Sequence, residues 1–278
     1  MVLGTTSGAG KTVISAMICR HIRARGKTVS PFKALNISLN SFVTKDGGEI
    51  GISQAFQAWA CGIEPQRCHN PFLIKPKSPG CSQLIVKGDP YKDSSTRTKE
   101  DMTVIWGAVK TCFEEVDTAY EYMVCEGSGS PAEINLREKD IANIGLARHS
   151  AAPILLVGDI EKGGVFAGLY GTYCLLPDDV KKNVAGFVIN RFRGEASLLD
   201  KGIKQIEDLT GCPCLGVIPY ISLSFPSEDS LDIDSEEGAH PAGSDIRGSW
   251  VENIDRFIGL VEGHFDFPML DEILGVGE

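Results

Sequence analysis

A glycine-rich stretch near the start of the sequence carries the clearest chemical signal. It reads Gly4-Thr-Thr-Ser-Gly-Ala-Gly-Lys-Thr12 and runs directly into a helical pattern. Backbone N–H groups of such a turn point at phosphate oxygens, and the helix N-terminus adds partial positive charge. The lysine reaches the β- and γ-phosphates, and the threonine hydroxyl binds Mg²⁺. The predicted contacts to a nucleoside triphosphate come from Thr6, Gly8, Ala9, Gly10, Lys11 and Thr12.

Charged side chains follow three predicted strands, where a triphosphate site needs them. Glu126 comes after the strand at 122–125 and Asp159 after the strand at 154–157. Either carboxylate would hold Mg²⁺ directly or through water, and we favour Glu126. Lys33 ends the strand at 28–32 and is expected to neutralise charge on a moving phosphoryl group. A solvated surface lysine would look the same in the sequence.

An asparagine ends a further predicted strand and bears on the choice of base. Asn190 follows the apolar run 184–189, and its carboxamide has both a donor and an acceptor for a purine edge. GTP-binding proteins of this class usually carry an aspartate three residues later, where this chain has Arg193. The sequence therefore favours adenine, and ATP with Mg²⁺ is the predicted nucleotide.

Short apolar runs alternate with amphipathic helical patterns along most of the chain. Runs without internal alternation are typical of strands buried on both faces of a parallel sheet. We predict an α/β fold of the P-loop NTPase type, with an open, mostly parallel sheet and helices on both faces. The candidate strands are 28–32, 122–125, 154–157, 184–189 and 215–218, and the helical stripes run through 13–22, 102–116 and 199–206.

Three stretches depart from this alternation. Residues 34–100 are polar and rich in glycine and proline around a helix pattern at 52–60, and we predict a substrate-facing insertion. Residues 224–249 are acidic and are predicted to form a linker or mobile loop. Helical spacing returns over 250–278. We expect one P-loop domain over 1–232, with the C-terminal segment packing on it.

Composition narrows the classes of partner. The chain has 27 basic and 37 acidic residues in 278, which argues against nucleic acid or an anionic membrane as main partner. No apolar run approaches the ~20 residues of a membrane span, and no basic leader precedes an apolar stretch, so a cytoplasmic protein is expected. The nine cysteines lack paired metal-ligand spacing and the five histidines form no ligand pattern, so reduced, packed thiols are predicted.

Taken together, these motifs resemble the cobyric acid synthase family of the cobalamin pathway, over residues 1–232. The wider superfamily includes dethiobiotin synthetase and cobyrinic acid a,c-diamide synthase. The run Gly129-Ser-Pro-Ala-Glu-Ile-Asn135 favours cobyric acid synthase among the three. The matching segments are 4–12, 31–34 with Asn36, Ser38, Asn40 and Ser41, 46–51, 70–71, 75–76, 82–83, 126–136, 157–160 with 163–166, 186–190, 219–220 and 228–231.

The resemblance implies a reaction and roles for residues. A corrinoid carboxylate attacks the γ-phosphate of ATP to give an acyl phosphate, and ammonia then displaces phosphate to leave an amide. Lys11, Thr12 and Glu126 would handle ATP and Mg²⁺, and Lys33 would steady the phosphoryl group. By the same resemblance Asn190 and Pro219 would border the nucleotide, and Asn36, Ser38, Asn40, Ser41, Ser130, Glu133 and Asn135 would face the corrinoid.

The sequence leaves several alternatives open. Family members usually carry a glutamine amidotransferase domain that this sequence does not include, so ammonia would come from a separate amidotransferase subunit, from solution, or from the rest of a longer protein. A related carboxylate-activating enzyme, a switch-type P-loop ATPase and a non-catalytic scaffold also remain. The switch type often has a further lysine in its loop, where this chain has Thr5, Thr6 and Ser7. A homodimer is compatible with the sequence.

Overall fold

The computed structural model describes residues 1–94, 96–225 and 246–276. It confirms the α/β class and the parallel character of the main sheet. Residues 226–245 of the predicted linker at 224–249 lie outside the described residues, as does the matching segment at 228–231. The prediction is wrong for residues 246–249, which begin the helix Ile246–Val261. The strands are β1 (Val2–Gly4), β2 (Val29–Phe32), β3 (Leu35–Ile37), β4 (Ser41–Val43), β5 (Glu49–Gly51), β6 (Phe72–Ser78), β7 (Cys81–Val86), β8 (Asp89–Ser94), β9 (Tyr122–Cys125), β10 (Ile154–Asp159), β11 (Val184–Phe192) and β12 (Cys214–Pro219).

All five strands predicted from the apolar runs are present, as are the three predicted helices. The helices are α1 (Lys11–Ala24), α2 (Ile52–Ala60), α3 (Lys99–Ala119), α4 (Leu146–Ser150), α5 (Val165–Leu175), α6 (Asp178–Lys181), α7 (Asp200–Thr210), α8 (Ile246–Val261) and α9 (Phe267–Leu274). The helical spacing predicted after residue 250 is confirmed by α8 and α9. Among the described residues, no helix combines the length and apolarity that crossing a bilayer requires.

Contacts within the chain form two compact units. The first comprises Met1–Ile14, Gly127–Leu223 and Arg256–Glu278. Its sheet is parallel throughout, in the order β1-β10-β11-β12, and α5 packs on β10. Strands β1 and β10 are buried along their whole length, and β11 and β12 are buried mainly in their middle parts, as expected for a parallel sheet covered by helices. The phosphate loop and the ends of these strands therefore belong to the same unit.

The second unit comprises Ser15–Glu126 and Ser224–Asp255, of which 226–245 lie outside the described residues. It contains a parallel pair, β2 with β9, and a separate sheet in the order β3-β6-β7-β8. Within the unit α2 packs on β2, and α3 packs on β6 and β9. The prediction of one domain over 1–232 is not tested by these contacts and stays a prediction.

The stretch predicted as a loop-rich insertion holds more regular structure than its sequence suggested. Helix α2 has the predicted bounds, but β3 to β8 were not predicted. Strands β6, β7 and β8 form an antiparallel meander, and the turn between β7 and β8 has positive φ at both Lys87 (50°) and Gly88 (80°). Two successive positive φ values define the tight hairpin turn that suits twisted strands. Exposed polar residues on β8 hid this sheet from a hydrophobicity pattern.

Candidate nucleotide site and a buried lysine–glutamate pair

The phosphate loop lies in the first unit, between the end of β1 and the start of α1. Gly8 and Gly10 adopt φ of +67° and +94°, which side chains other than glycine rarely tolerate. The Lys11 side chain is buried and its ammonium donates to the carbonyl of Thr6 at 3.3 Å. Thr12 is also buried in the first turn of α1. The loop thus has the backbone shape and the helix start that a polyphosphate site requires.

Asn190 fastens this loop to the sheet. Its Nδ2 donates to the carbonyl of Ala9 at 2.9 Å. A Cβ on Gly10 would lie 2.1 Å from the same Nδ2, so Asn190 leaves room only for glycine at that position. Strand β11 also runs past Asn190 to Phe192, three residues beyond the predicted end. The donor of Asn190 is therefore engaged with the loop, and its predicted contact with adenine stays a prediction.

Asp159 lies at the end of β10, beside Asn190 in the sheet register. Its buried carboxylate accepts from the Arg191 guanidinium at 2.9 Å and from the Glu161 backbone N–H at 2.9 Å. Arg191 reaches it from a left-handed backbone conformation, with φ of +63°. Such a conformation in a non-glycine residue stores strain of about 1–3 kcal/mol. The carboxylate of Asp159 and the hydroxyl of Thr12 are hard oxygen donors within one unit, and this donor set fits Mg²⁺.

Arginine and tyrosine side chains stack beside the ends of β11 and β12. The Arg193 guanidinium lies 3.4 Å from the Tyr220 ring centroid and donates to Glu161 at 2.8 Å. Pro219, predicted to border the nucleotide, is the last residue of β12, and the next residue donates its N–H to Phe192. In the sequence, Arg193 stands out only because it occupies the position where GTP-binding proteins of this class usually carry an aspartate. The stacked pair was not predicted, because Arg193 follows β11 and Tyr220 follows β12, far apart in the sequence.

A buried ion pair is the main feature of the second unit. Lys33 and Glu126 meet with Nζ and Oε1 2.7 Å apart, and their side chains are 2% and 0% exposed. Gln57 from α2 donates to the other carboxylate oxygen of Glu126. The alternative of a solvated surface lysine is therefore wrong. Gln57 was missed because it lies 69 residues from Glu126, with no local signal.

The buried charges of Lys33 and Glu126 compensate each other in this structure. Removing two charges from water is costly unless the geometry is close and the remaining polar atoms are hydrogen-bonded. Lys33 and Gln57 supply these bonds, so both oxygens of Glu126 are engaged. The proposed roles of Glu126 in metal binding and of Lys33 in phosphoryl transfer stay predictions. Each would operate from a preformed, charge-neutral pair.

A buried histidine supports the lysine backbone. The carbonyl of His69 accepts the N–H of Lys33 at 2.9 Å, and its Nδ1 accepts the N–H of Gln66 at 3.1 Å. Its Nε2 is buried and has no hydrogen-bond partner in the described parts of the chain. Burial lowers the pKa of His69 to about 4. The imidazole is therefore neutral at physiological pH. No role was predicted for His69, because the histidines form no ligand pattern in the sequence.

The residues predicted to face a corrinoid from the insertion divide into buried and exposed ones. Asn36 is buried and its Nδ2 donates to Ser53 at 3.1 Å and to Gln54 at 2.9 Å. Ser38 is also buried, and its hydroxyl accepts the N–H of Asn40 at 3.0 Å. Asn40 is exposed, whereas Ser41 is half-buried and donates to Glu49. Asn36 thus binds two side chains of α2, Ser38 binds the backbone of its own loop, and all four substrate roles stay predictions.

The loop after Glu126 belongs to the first unit and has its own internal support. Ser128 donates its N–H to Asn143 Oδ1 at 3.1 Å and accepts from Asn143 Nδ2 at 2.8 Å. A Cβ on Gly127 would lie 2.2 Å from the same Oδ1. Asp140 accepts from the N–H groups of residues 142 and 143, and burial raises its pKa. Asn143 was missed because it follows Ser128 by 15 residues.

This support leaves the tip of the loop open to solvent. Ser130 is buried and its hydroxyl accepts the N–H of Ala132 at 3.2 Å. Glu133 and Asn135, the other two residues predicted to face substrate, are exposed. The apolar side chains between and after them, Ile134 and Leu136, are 59% and 55% exposed. Polar and apolar groups therefore alternate on one accessible turn.

Comparison with known proteins identifies the domain. Residues 1–230 match the family described as the CobQ/CobB/MinD/ParA nucleotide binding domain. The chain belongs to this family. Its nucleotide-binding function agrees with the phosphate loop described above.

Curated relatives are similar to this chain over most of its length. Probable cobyric acid synthases from Archaeoglobus fulgidus and Methanosarcina acetivorans are 50% and 52% identical, each over 99% of this chain. The chain covers 59% and 58% of those two proteins, and 48% of the cobyric acid synthase of Synechococcus elongatus, which is 49% identical over 84% of this chain. It thus spans about half the length of these relatives. The solved MinD cell division protein of Aquifex aeolicus aligns over 93% of this chain with a TM-score of 0.43 and 15% identity.

Proposed function

We propose that this chain carries the ATP-dependent amidation step of a cobyric acid synthase. A side-chain carboxylate of a corrinoid attacks the γ-phosphorus of ATP, forming an acyl phosphate and releasing ADP. Ammonia then attacks the acyl carbon, loses a proton and expels inorganic phosphate, which leaves an amide. The observation that carries the proposal is the identity of about half the residues, across nearly the whole chain, with curated relatives bearing this name.

The phosphate loop supports the first step. Gly8 and Gly10 keep the backbone in the conformation that turns N–H groups toward phosphate oxygens. Lys11 starts α1, and its ammonium is held against the loop by the Thr6 carbonyl. A lysine at this position of a phosphate loop reaches the β- and γ-phosphates. Thr12 and Asp159 would hold Mg²⁺, which neutralises charge on the β- and γ-phosphates when bound.

The ion pair of the second unit supports a role in handling the transferred group. Lys33 is buried with its charge compensated by Glu126, so its ammonium is fixed in position rather than free to sample solvent. Fixed charges stabilise a transition state without reorganising during the reaction. We assign Lys33 to the phosphoryl group and Glu126 to the orientation of Lys33, with metal binding through water as its second task.

The loop at 130–136 supports recognition of a large ring with many carboxylates and amides. Exposed Ile134 and Leu136 offer apolar surface, and Glu133 and Asn135 offer acceptor and donor groups beside it. A corrinoid presents a broad apolar macrocycle bordered by polar side chains, which requires this mixture. Backbone N–H groups and Asn135 are expected to bind its amides.

The ammonia source is the part of the reaction that this chain does not supply from its own described residues. Because the chain spans about half the length of its relatives, we assign glutamine hydrolysis to a separate amidotransferase, as a domain or a subunit. High ammonium should replace it in a purified system, since the acyl phosphate reacts with free ammonia.

The direct test supplies ATP, Mg²⁺, ammonium chloride and adenosylcobyrinic acid a,c-diamide to the purified chain. Mass spectrometry should detect amidated corrinoid, with one phosphate released for each amide formed. Substrate labelled with ¹⁸O in its carboxylates should transfer one ¹⁸O to each phosphate, because the acyl phosphate is broken at its C–O bond. Product without ¹⁸O in phosphate contradicts the acyl phosphate step.

Parallel reactions separate the alternatives that the sequence left open. Cobyrinic acid tests for a,c-diamide synthesis, and diaminopelargonate with bicarbonate tests for dethiobiotin synthesis. ATP hydrolysis that is independent of every carboxylate, together with ATP-dependent dimerisation, would favour a switch-type ATPase. Amidation of the a,c-diamide alone is the expected result.

A further inference from the structure

Two cysteines and a glutamate of the second unit lie together, and none of the three belongs to the sites described above. Cys112 and Glu115 are three residues apart on α3 and therefore share one helix face. Cys68 belongs to the short 3₁₀ turn Arg67–His69, which packs on that face. The two sulfurs and one carboxylate oxygen all lie within 4.8 Å of one another. This cluster was not predicted, because Cys68 lies far from α3 in the sequence and only the fold brings them together.

We propose that Cys68, Cys112 and Glu115 bind a zinc ion, or another soft divalent cation, through two thiolates and one carboxylate. In tetrahedral geometry, Zn–S bonds of about 2.3 Å place two thiolate sulfurs about 3.8 Å apart. Ligand atoms that already lie within 4.8 Å of one another thus need only small side-chain adjustments. The site goes beyond the proposed amidation, since it involves none of the nucleotide or corrinoid residues.

The hydrogen bonds around the cluster orient its ligand atoms inward. Cys68 Sγ donates to Glu115 Oε2 at 2.7 Å, so this oxygen faces the sulfurs. Lys87 Nζ lies 3.3 Å from the other oxygen, Oε1, and holds the carboxylate from the solvent side. A metal replacing the Cys68 proton would take over a contact that the carboxylate already makes.

Charge and protonation also suit a divalent cation. Two thiolates, one carboxylate and one Zn²⁺ sum to a single negative charge, which the neighbouring Lys87 ammonium compensates. Metal binding releases one proton from each cysteine without any redox change.

Burial distinguishes this cluster from surface groups that bind cations weakly. Cys112 is fully buried and Cys68 is half-buried, whereas Glu115 is exposed. The thiolates would thus be shielded while the fourth coordination position faces solvent through Glu115. Three protein ligands with an open position are typical of zinc sites that exchange water or a small ligand. Soft sulfur donors favour zinc over Mg²⁺, so the site should not compete for the magnesium of the nucleotide.

Cobalt(II) provides the test because its thiolate complexes absorb in the near ultraviolet. The whole chain, reduced and stripped of metal, is titrated with Co²⁺ in the absence of nucleotide. We expect a saturable thiolate-to-cobalt band at one equivalent, which one equivalent of Zn²⁺ abolishes. The midpoint should move to higher Co²⁺ as the pH falls, because protons compete for the thiolates.

Matched variants assign the ligands. Cys68→Ser and Cys112→Ser should each lose the band, and Glu115→Gln should keep sulfur absorption with a midpoint at higher Co²⁺. Cys174→Ser, which changes an exposed cysteine on α5, should titrate as the unsubstituted chain does. Circular dichroism checks folding, and Cys68→Ser remains informative if the variant of the buried Cys112 does not fold.

Several outcomes would overturn the site. One is the absence of a band in the unsubstituted chain, and another is a band that persists in Cys68→Ser. A third is a Cys68–Cys112 disulfide that forms in preference to the zinc complex when reduced protein is exposed to both air and Zn²⁺. Because nucleotide and corrinoid are absent, none of these results bears on the proposed amidation.

Discussion

The two units of this chain position their chemically important side chains by different means. In the first unit, backbone conformation and the tips of parallel strands carry the site: positive φ at Gly8 and Gly10, and Asp159 at the end of β10. In the second unit, buried side chains hold one another, as Lys33, Glu126 and Gln57 do. A backbone site is encoded in consecutive residues, whereas a side-chain network is assembled from distant ones. The first kind is therefore visible in a motif and the second only in a fold.

Removing the charge of the phosphate loop is the most severe test of the first kind of site. Lys11→Ala should lower ATP-dependent amidation by about 10³-fold or more, because alanine removes the ammonium that the loop supplies to the β- and γ-phosphates. Product formation by mass spectrometry measures the loss. The exposed Lys162 gives the control, and Lys162→Ala should retain the original rate. Equal losses in both variants would contradict a special role for Lys11.

Breaking the buried ion pair tests the second kind. Lys33→Met leaves the carboxylate of Glu126 buried without its cation, and the free energy of unfolding should fall by about 3–5 kcal/mol. Urea unfolding provides the measurement. The double variant Lys33→Met/Glu126→Leu should lose much less than the sum of its two single variants, since no charge remains buried alone. Additive losses would mean that the two residues contribute independently.

Acid should weaken the second unit through His69. The folded pKa of about 4 lies below the ordinary value of 6.5, so only the unfolded chain takes up the proton between these values. Stability from this residue is thus complete above pH 6.5 and decreases as the pH falls toward 4, by at most about 3 kcal/mol.

Unfolding free energies at several pH values reveal this contribution when variants are compared. His69→Gln should flatten the decline between pH 6.5 and pH 4. His149→Gln, at a half-buried position in the first unit, serves as control and should keep the original slope. Parallel curves for the original protein and His69→Gln would refute the assignment.

The smallest expected effect sharpens the description of the loop. Gly10→Ala combines a φ of +94° with a close approach to Asn190, whereas Gly163→Ala has a φ of +77° and no heavy atom within 4 Å of the added Cβ. Gly163→Ala should cost about 1 kcal/mol and Gly10→Ala up to about 3 kcal/mol. Adding Asn190→Ala to Gly10→Ala should recover part of the difference in unfolding free energy.

Much of the fold and the loop site could be predicted because their signals are local. The phosphate motif occupies nine consecutive residues, and the buried parallel strands appear as apolar runs. Lys33, Glu126 and Asp159 were selected because each follows such a run. Their placement at strand ends is confirmed, since Lys33 directly follows β2, Glu126 directly follows β9 and Asp159 ends β10. The bond between Lys33 and Glu126 was not predicted.

What the sequence did not reveal depends on distant partners or on polar strands. Gln57 and Asn143 are ordinary amides in the sequence, and only the fold brings them to Glu126 and Ser128. The residues of β8 are largely polar because one edge of that sheet faces water, so periodicity could not mark them. The internal hydrogen bonds of Asn36 and Ser38 were not predicted either, because a polar residue in a sequence does not show which groups of the protein it contacts, and their substrate roles stay predictions.

The close approach of Asn143 to Gly127 has a consequence for descent. A side chain at position 127 collides with the Asn143 amide, and a shorter residue at position 143 would remove both bonds that shape Ser128. A substitution at either position alone should therefore destabilise this loop. Proteins that share this domain should therefore retain the glycine and the asparagine together or replace both.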